Sequence, residues 1–166
     1  MRERITRILE RWFLGDPALF QVLCLHSIEE NSRMACPVRS GRRKLEYNPD
    51  WVKEMSDEAL DQALRTEAVR ILLKHPYQRK PDACSQEAVA VGSTITIGDN
   101  YTYGNLRIER PADYELPSGR PYEWYSRRIQ EMLQGAGQDR SKGGGKEIAD
   151  RLEASSGSNT DLSELW

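Results

Sequence analysis

The run from Ser56 to Pro76 constrains this chain more than any other segment. Ser56-Asp57-Glu58 places a capping residue and two acids at a helix start, and proline stops the pattern at Lys74-His75-Pro76. At about 100° per residue, Leu60, Ala63, Leu64, Glu67, Ala68, Ile71 and His75 fall in one arc, the face such a helix must pack on something else. Glu67 therefore sits inside an apolar stripe. An unpaired buried carboxylate costs several kcal/mol, so this glutamate needs a partner. Two roles suit it: general base beside a metal, or half of an ion pair with Arg70, three residues on. His75 divides in the same way, between metal ligand and helix C-terminal residue interacting with the dipole and the last carbonyls.

The rest of the chain arranges shorter elements around this helix. Ile5, Ile8, Leu9, Trp12 and Phe13 recur at helical spacing from residue 2 to 13. Gly15-Asp16-Pro17 then breaks the run and opens a second helix through Leu23, with Asp16 as its cap. His26-Ser-Ile-Glu-Glu-Asn, Met34-Ala-Cys-Pro-Val and Lys44-Leu-Glu-Tyr read as two or three short strands, broken by Asn31, Pro37 and the Ser40-Gly41 turn and closed by Asn48-Pro49. Ser85 to Ile97 reads as a helix with Ala88, Val91 and Ile95 inside, although Thr94-Ile-Thr-Ile also suits a strand. Gly104, Pro111, Pro117, Gly119 and Pro121 mark residues 101–121 as ordered but irregular, and Tyr122 to Leu133 as a last helix. Gly135 to Gly145 has the composition of a flexible linker, and the tail beyond it offers Leu162, Leu165 and Trp166 for docking. The expected architecture is a single α+β domain over residues 1–134, helix-rich with a small sheet, followed by a linker and tail over 135–166.

Composition removes several classes of function. Twenty-four basic against 26 acidic residues leave a formal net charge of −2, which gives no electrostatic reason to expect nucleic acid or an anionic membrane as partner. No stretch approaches the roughly 20 apolar residues of a membrane helix, and Met1-Arg-Glu-Arg-Ile-Thr-Arg lacks the apolar core of a signal peptide, so a cytoplasmic location is expected. Cys24, Cys36 and Cys84 form no CxxC pair and read as ordinary buried or half-buried thiols. Cys24 and His26 lie close together but without a recognisable third ligand. Arg39-Ser-Gly-Arg-Arg-Lys44 reads as a solvated basic hairpin, and Gly143-Gly-Gly-Lys146 lacks the spacing of a phosphate-binding loop.

Thr66-Glu67-Ala-Val-Arg70 has the length of an HExxH motif, in which two imidazoles four apart grip a metal while the glutamate handles the proton of a bound water. The glutamate is present and the histidines are not. Four segments extend the comparison: Tyr47-Asn48-Pro49, Leu64 through Arg79, Ala90 through Asn100, and Glu123-Trp124-Tyr125. In their order and spacing they resemble, over residues 17 to 134, the metallopeptidase domain that precedes a von Willebrand A-like domain in a group of bacterial metal-dependent peptidases.

The resemblance implies a zincin-like fold, zinc as the cofactor of active members, and AAA-type ATPases or the von Willebrand A-like domain itself as partners. The 166 residues leave no room for that second domain. Carried over, Glu67 matches the general base and His75 the last histidine of an HExxHxxxxH pattern. Thr66 and Arg70 stand where the first two ligands would be, and Thr94 and Gly98 where the family has an aspartate and an asparagine. A three-ligand zinc site keeps one protein ligand here, His75. Threonine is a poor zinc ligand, and a guanidinium stays protonated and repels a cation.

The expectation is thus a pseudopeptidase with Glu67 as a vestigial base and no cofactor, which binds a protein or peptide segment by strand addition in a groove between the Ser56–His75 helix and the sheet edge. Two alternatives stay open. One is an active zinc-dependent peptidase using Glu67, His75 and non-standard ligands. The other is an interaction module without a peptidase-type groove, acting through residues 101–121 or the Trp166 tail.

Overall fold

The computed structural model describes residues 1–102, 108–136, 148, 150–152 and 161–166. They form a helix-rich α+β protein with one small mixed sheet. The chain divides into two compact units, and the residues expected as one domain over 1–134 fall in both. The first unit takes its described residues from Met1–Gln78 and Leu165–Trp166, the second from those between Arg79 and Glu164. Among the described residues no helix is long and apolar enough to cross a membrane.

The first unit begins with helices α1 (Arg2–Gly15) and α2 (Pro17–Cys24). Ile5, Ile8, Leu9 and Trp12 are the buried stripe of α1. Phe13, expected in that stripe, is exposed and packs edge-to-face on Phe20 with centroids 5.4 Å apart. Asp16 stands at the cap position of α2 but does not cap it with its side chain. Its carboxylate instead accepts from Arg65 at 2.6 Å, while Arg65 also bonds Asp61 at 2.7 Å. The same Asp61 accepts the Trp12 indole N–H at 2.7 Å, so one aspartate and one arginine lock α1, the α2 entry and the long helix together.

Strands β1 (Ser27–Glu30), β2 (Val38–Gly41) and β3 (Lys44–Tyr47) follow. Their order is β1-β3-β2, with β1 parallel and β2 antiparallel to β3, which leaves β2 at an edge. Arg42 and Arg43 form the β2–β3 connection with φ of 49° and 60°, the left-handed conformation that a tight hairpin requires and that glycine or asparagine adopts more cheaply. Arg39 does not belong to a solvated turn as expected. It pairs across the hairpin with Glu46, almost fully buried, through Nε at 2.8 Å and Nη2 at 2.6 Å, and Asn31 adds a third contact to that carboxylate at 3.0 Å.

Asn48-Pro49 does more than end the strands. The Asn48 side chain accepts from Asp50 N–H and caps a short helix, α3 (Pro49–Glu54), that was not anticipated although asparagine followed by proline is a helix-start signal. Its amide also donates to the Met34 carbonyl at 2.8 Å. Helix α4 (Asp57–Leu72) starts as expected, with Ser56 Oγ accepting from Ala59 N–H at 3.1 Å. It ends earlier than expected, at Leu72 rather than at Lys74-His75. Lys74 takes φ 61°, its N–H bonds the Ile71 carbonyl, and the His75 N–H reaches back to the Arg70 carbonyl at 3.2 Å, the paired bonds of a Schellman ending. The turn closes two residues before proline can act.

The second unit holds α5 (Gln86–Asn100), a 3-10 turn (Pro111–Tyr114) and α6 (Tyr122–Ala136). Thr94-Ile-Thr-Ile is helix, not strand. Thr94 and Thr96 return their hydroxyls to the carbonyls of Ala90 and Gly92, which lets β-branched residues settle into a helix. α5 and α6 meet closely: a Cβ on Gly92 would stand 2.7 Å from the Ser126 amide nitrogen. Ala88, Val91, Ile95, Tyr114, Tyr125 and Ile129 form the core, joined by Leu152. Of the expected linker and tail over 135–166, Gly135 and Ala136 end α6, residues 137–147, 149 and 153–160 lie outside the described residues, and Leu165–Trp166 belong to the first unit. Cys24, expected to be buried or half-buried, is exposed, whereas Cys36 is buried and Cys84 half-buried.

The left-handed Lys74 supplies a direct test of the α4 ending. Lys74→Gly removes the Cβ penalty at that position and should raise unfolding stability by about 1 kcal/mol, read as a higher urea midpoint at unchanged slope. Lys74→Val should lower it.

Candidate functional site

Period-two alternation decides what faces α4. Val38 and Ser40 on β2 share a sheet face with Leu45 and Tyr47 on β3, and all four are buried. α4 packs on that face, so Ser40 is aimed at the helix and meets Glu67, the one carboxylate in its stripe.

The meeting is close. Ser40 Oγ donates to Glu67 Oε2 at 2.6 Å, and Arg70 Nε donates to Glu67 Oε1 at 3.0 Å. Glu67 and Arg70 are 3% and 2% exposed and Ser40 is fully buried, so both carboxylate oxygens are engaged inside the protein. Above the guanidinium lies Trp166, with the Arg70 Cζ 5.8 Å from the ring centroid. The indole N–H donates to the Ser40 carbonyl oxygen at 3.0 Å, on the edge strand.

The other expected site residues are distributed differently. Thr66 is buried beside Glu67, but its hydroxyl is turned back to the Gln62 carbonyl at 3.0 Å. His75 is fully buried and lies past the end of α4, so it leaves the helical arc in which its spacing had placed it. Thr94 belongs to the second unit. Gly98 has a packing role there, since any Cβ would run into the Glu109 carbonyl oxygen. The structure thus brings Glu67 and Arg70 together and adds Ser40, expected only as part of a turn, and Trp166, expected to dock but without a stated seat.

These donors do not suit a dication. A cation at Glu67 would have to displace a guanidinium and a hydroxyl proton, and Arg70 offers it only repulsion. Among the described residues no three His, Cys, Asp or Glu side chains come together as ligands.

Residues shared with the peptidase resemblance outside this junction make structural contacts. Arg79 grips Glu123 through two hydrogen bonds of 2.8 Å. The Tyr125 hydroxyl donates to Asp99 at 2.8 Å, and the Gly119 N–H donates to the same oxygen at 2.7 Å. Burial opposes the charge on Asp99, but these bonds together with one from Ser118 outweigh it and hold the carboxyl below its usual range. Burial and the Asp99 carboxylate push the Tyr125 hydroxyl up to about 12.

A second polar group lines an open hollow of about 520 Å³ formed by Leu25, His26, Arg43, Ile71, Lys74 and Tyr77. The His26 ring lies 2.8 Å from the Val22 carbonyl through Nδ1 and 2.6 Å from the Tyr77 hydroxyl through Nε2. That geometry suits the neutral tautomer with Nδ1–H donating and Nε2 accepting. Tyr77 in turn accepts from the Arg43 N–H at 3.2 Å. Burial lowers the His26 pKa below 6.5, the Val22 hydrogen bond works against this, and the nearby Arg43 adds to it.

Comparison of the chain with protein-family profiles, with curated proteins and with solved structures finds no match.

Two outcomes are expected at these sites. Arg70→Ala leaves Glu67 buried without its cation and should cost about 2–4 kcal/mol of unfolding stability, part of which the double change Glu67→Gln with Arg70→Ala recovers; denaturant titration of the three proteins measures both. His26 is held neutral in the folded state at a pH where the unfolded chain takes up a proton. Its contribution is therefore complete above the unfolded value and is lost as pH falls below about 6.5. His26→Gln should flatten the decline in stability between about pH 7 and pH 5 relative to the parent.

Proposed function

We propose that this protein is a zincin-like pseudopeptidase: a domain that uses a peptidase-type helix and edge strand to hold a protein or peptide segment without cleaving it. The observation that carries this reading is the Arg70 guanidinium on Glu67, at the position where an HExxH motif has its second histidine. A general base needs a lone pair and access to water. Glu67 has its oxygens committed to Ser40 and Arg70 and is 3% exposed, so it is placed to hold the helix on the sheet rather than to move a proton. Thr66, at the first ligand position of that motif, is buried and turns its hydroxyl to the Gln62 carbonyl.

β2 is an edge strand with α4 beside it, and main-chain pairing along such an edge gives affinity while pockets for alternate side chains give specificity. Cytoplasmic location, the bacterial origin of the resembling proteins and a partner of the von Willebrand A-like or AAA-type ATPase class belong to this same reading.

Metal analysis tests it. The purified protein should hold no stoichiometric zinc and show no chelator-sensitive peptidase activity. The double variant Thr66→His with Arg70→His restores both histidines of the motif and should take up about one zinc, because imidazoles four apart on one helix face form a chelating pair. Zinc near one equivalent in the parent, or none in the restored variant, would overturn the proposal.

A further inference from the structure

We infer that the surface where α4 meets the edge strand β2 is a recognition seat for a tryptophan and the residue before it in a peptide, and that Leu165–Trp166 is its occupant within this chain. The inference rests on the binding reading above and names what is bound.

Three features build the seat. The Ser40 carbonyl oxygen on the edge strand accepts the Trp166 indole N–H at 3.0 Å, so the ligand side chain takes a main-chain acceptor that a pairing strand would otherwise seek. The Arg70 guanidinium lies 5.8 Å from the indole centroid and is fixed from behind by Glu67, which makes it a preset cationic platform. The Arg70–Glu67 junction thus contacts the aromatic ring.

The third feature is Gly41. A Cβ there would stand 2.7 Å from the Leu165 Cβ and 2.8 Å from its carbonyl oxygen. Among the described glycines Gly119 is the one with positive φ, so the backbone at 41 does not require glycine. The adjoining turn makes the contrast sharper, because its left-handed positions carry Arg42 and Arg43. Glycine is thus found where the fold leaves room for Leu165, and arginines where the hairpin would favour glycine.

This geometry sets a specificity. Phenylalanine can cover Arg70 but has no N–H for the Ser40 carbonyl, and a buried acceptor deprived of its donor is costly. Tryptophan satisfies the first two features, and the residue before it fits because Gly41 leaves room for its Cβ and carbonyl oxygen. Leu165 and Trp166 are themselves only half-buried, so a competing segment can displace them.

The test uses the full chain and a fluorescein-labelled amidated peptide, Asp-Leu-Ser-Glu-Leu-Trp, copied from residues 161–166. Apparent affinity scales with the fraction of seats left open, so Trp166→Ala should bind the peptide about tenfold or more tightly than the parent in fluorescence polarisation. The same peptide with phenylalanine for tryptophan should bind Trp166→Ala several-fold more weakly, a comparison that needs no second protein variant. Adding Gly41→Val to Trp166→Ala should abolish binding while the far-ultraviolet circular dichroism is retained. Equal affinity of parent and Trp166→Ala, or of the two peptides, would overturn the inference, as would binding that survives in a folded Gly41→Val variant. Chelator-sensitive cleavage of the labelled peptide would instead overturn the preceding proposal and leave the seat intact.

Discussion

The hydrogen-bonded contact of Glu67 with Arg70 and Ser40 is the constraint on which the first unit depends. It joins a long helix to an edge strand through three buried side chains, and each would be destabilising without the others. An apolar trio of similar volume would pack the same space at less desolvation cost, so the value of the polar one lies in position. Apolar faces slide past one another with small penalties. A carboxylate that must meet one hydroxyl and one guanidinium fixes both the rotation of α4 and its height along β2.

The same device recurs through that unit. Arg39 and Glu46 are buried across the hairpin, Asp61 and Arg65 tie Trp12 and Asp16 to α4, and Asn48 links the β3 exit to the loop at Met34. Each link is a charge or amide whose partner lies on another element. The second unit is built otherwise. Its helices approach through small residues, Gly92 against Ser126, over a core of aliphatic and tyrosine side chains, with its main polar bonds, Arg79 to Glu123 and Tyr125 to Asp99, toward the rim.

A catalytic carboxylate and a structural one have opposite needs: the first must keep an oxygen accessible to a proton, the second must have each buried oxygen hydrogen-bonded. Glu67 meets the second need. Once Arg70 serves the carboxylate with its Nε, its flat face remains for an aromatic ring, and Trp166 lies against it. One arginine thus serves a carboxylate through its edge and an indole through its face.

The sequence by itself determined the elements governed by local rules. Ser56 and Ser85 cap their helices because a side-chain oxygen three residues upstream reaches an orphan N–H, and Glu67 needed a partner because its position in the stripe follows from helix period alone. The nearest candidate, Arg70, was legible for the same reason. Local rules also misled where tertiary bonds outbid them: Asp16 gave its side chain to Arg65, Arg39 left the solvated turn for Glu46, and α4 closed at Leu72 through a left-handed lysine before Pro76 could stop it. Only the tertiary structure decided that Ser40 completes the carboxylate, that His75 leaves the helical arc, and that Trp166 returns to the edge strand. Those contacts span 27 and 126 residues for Ser40–Glu67 and Ser40–Trp166, and no period or capping rule reaches that far. They are set by which faces can be buried together, a property of the whole packed unit rather than of any segment within it.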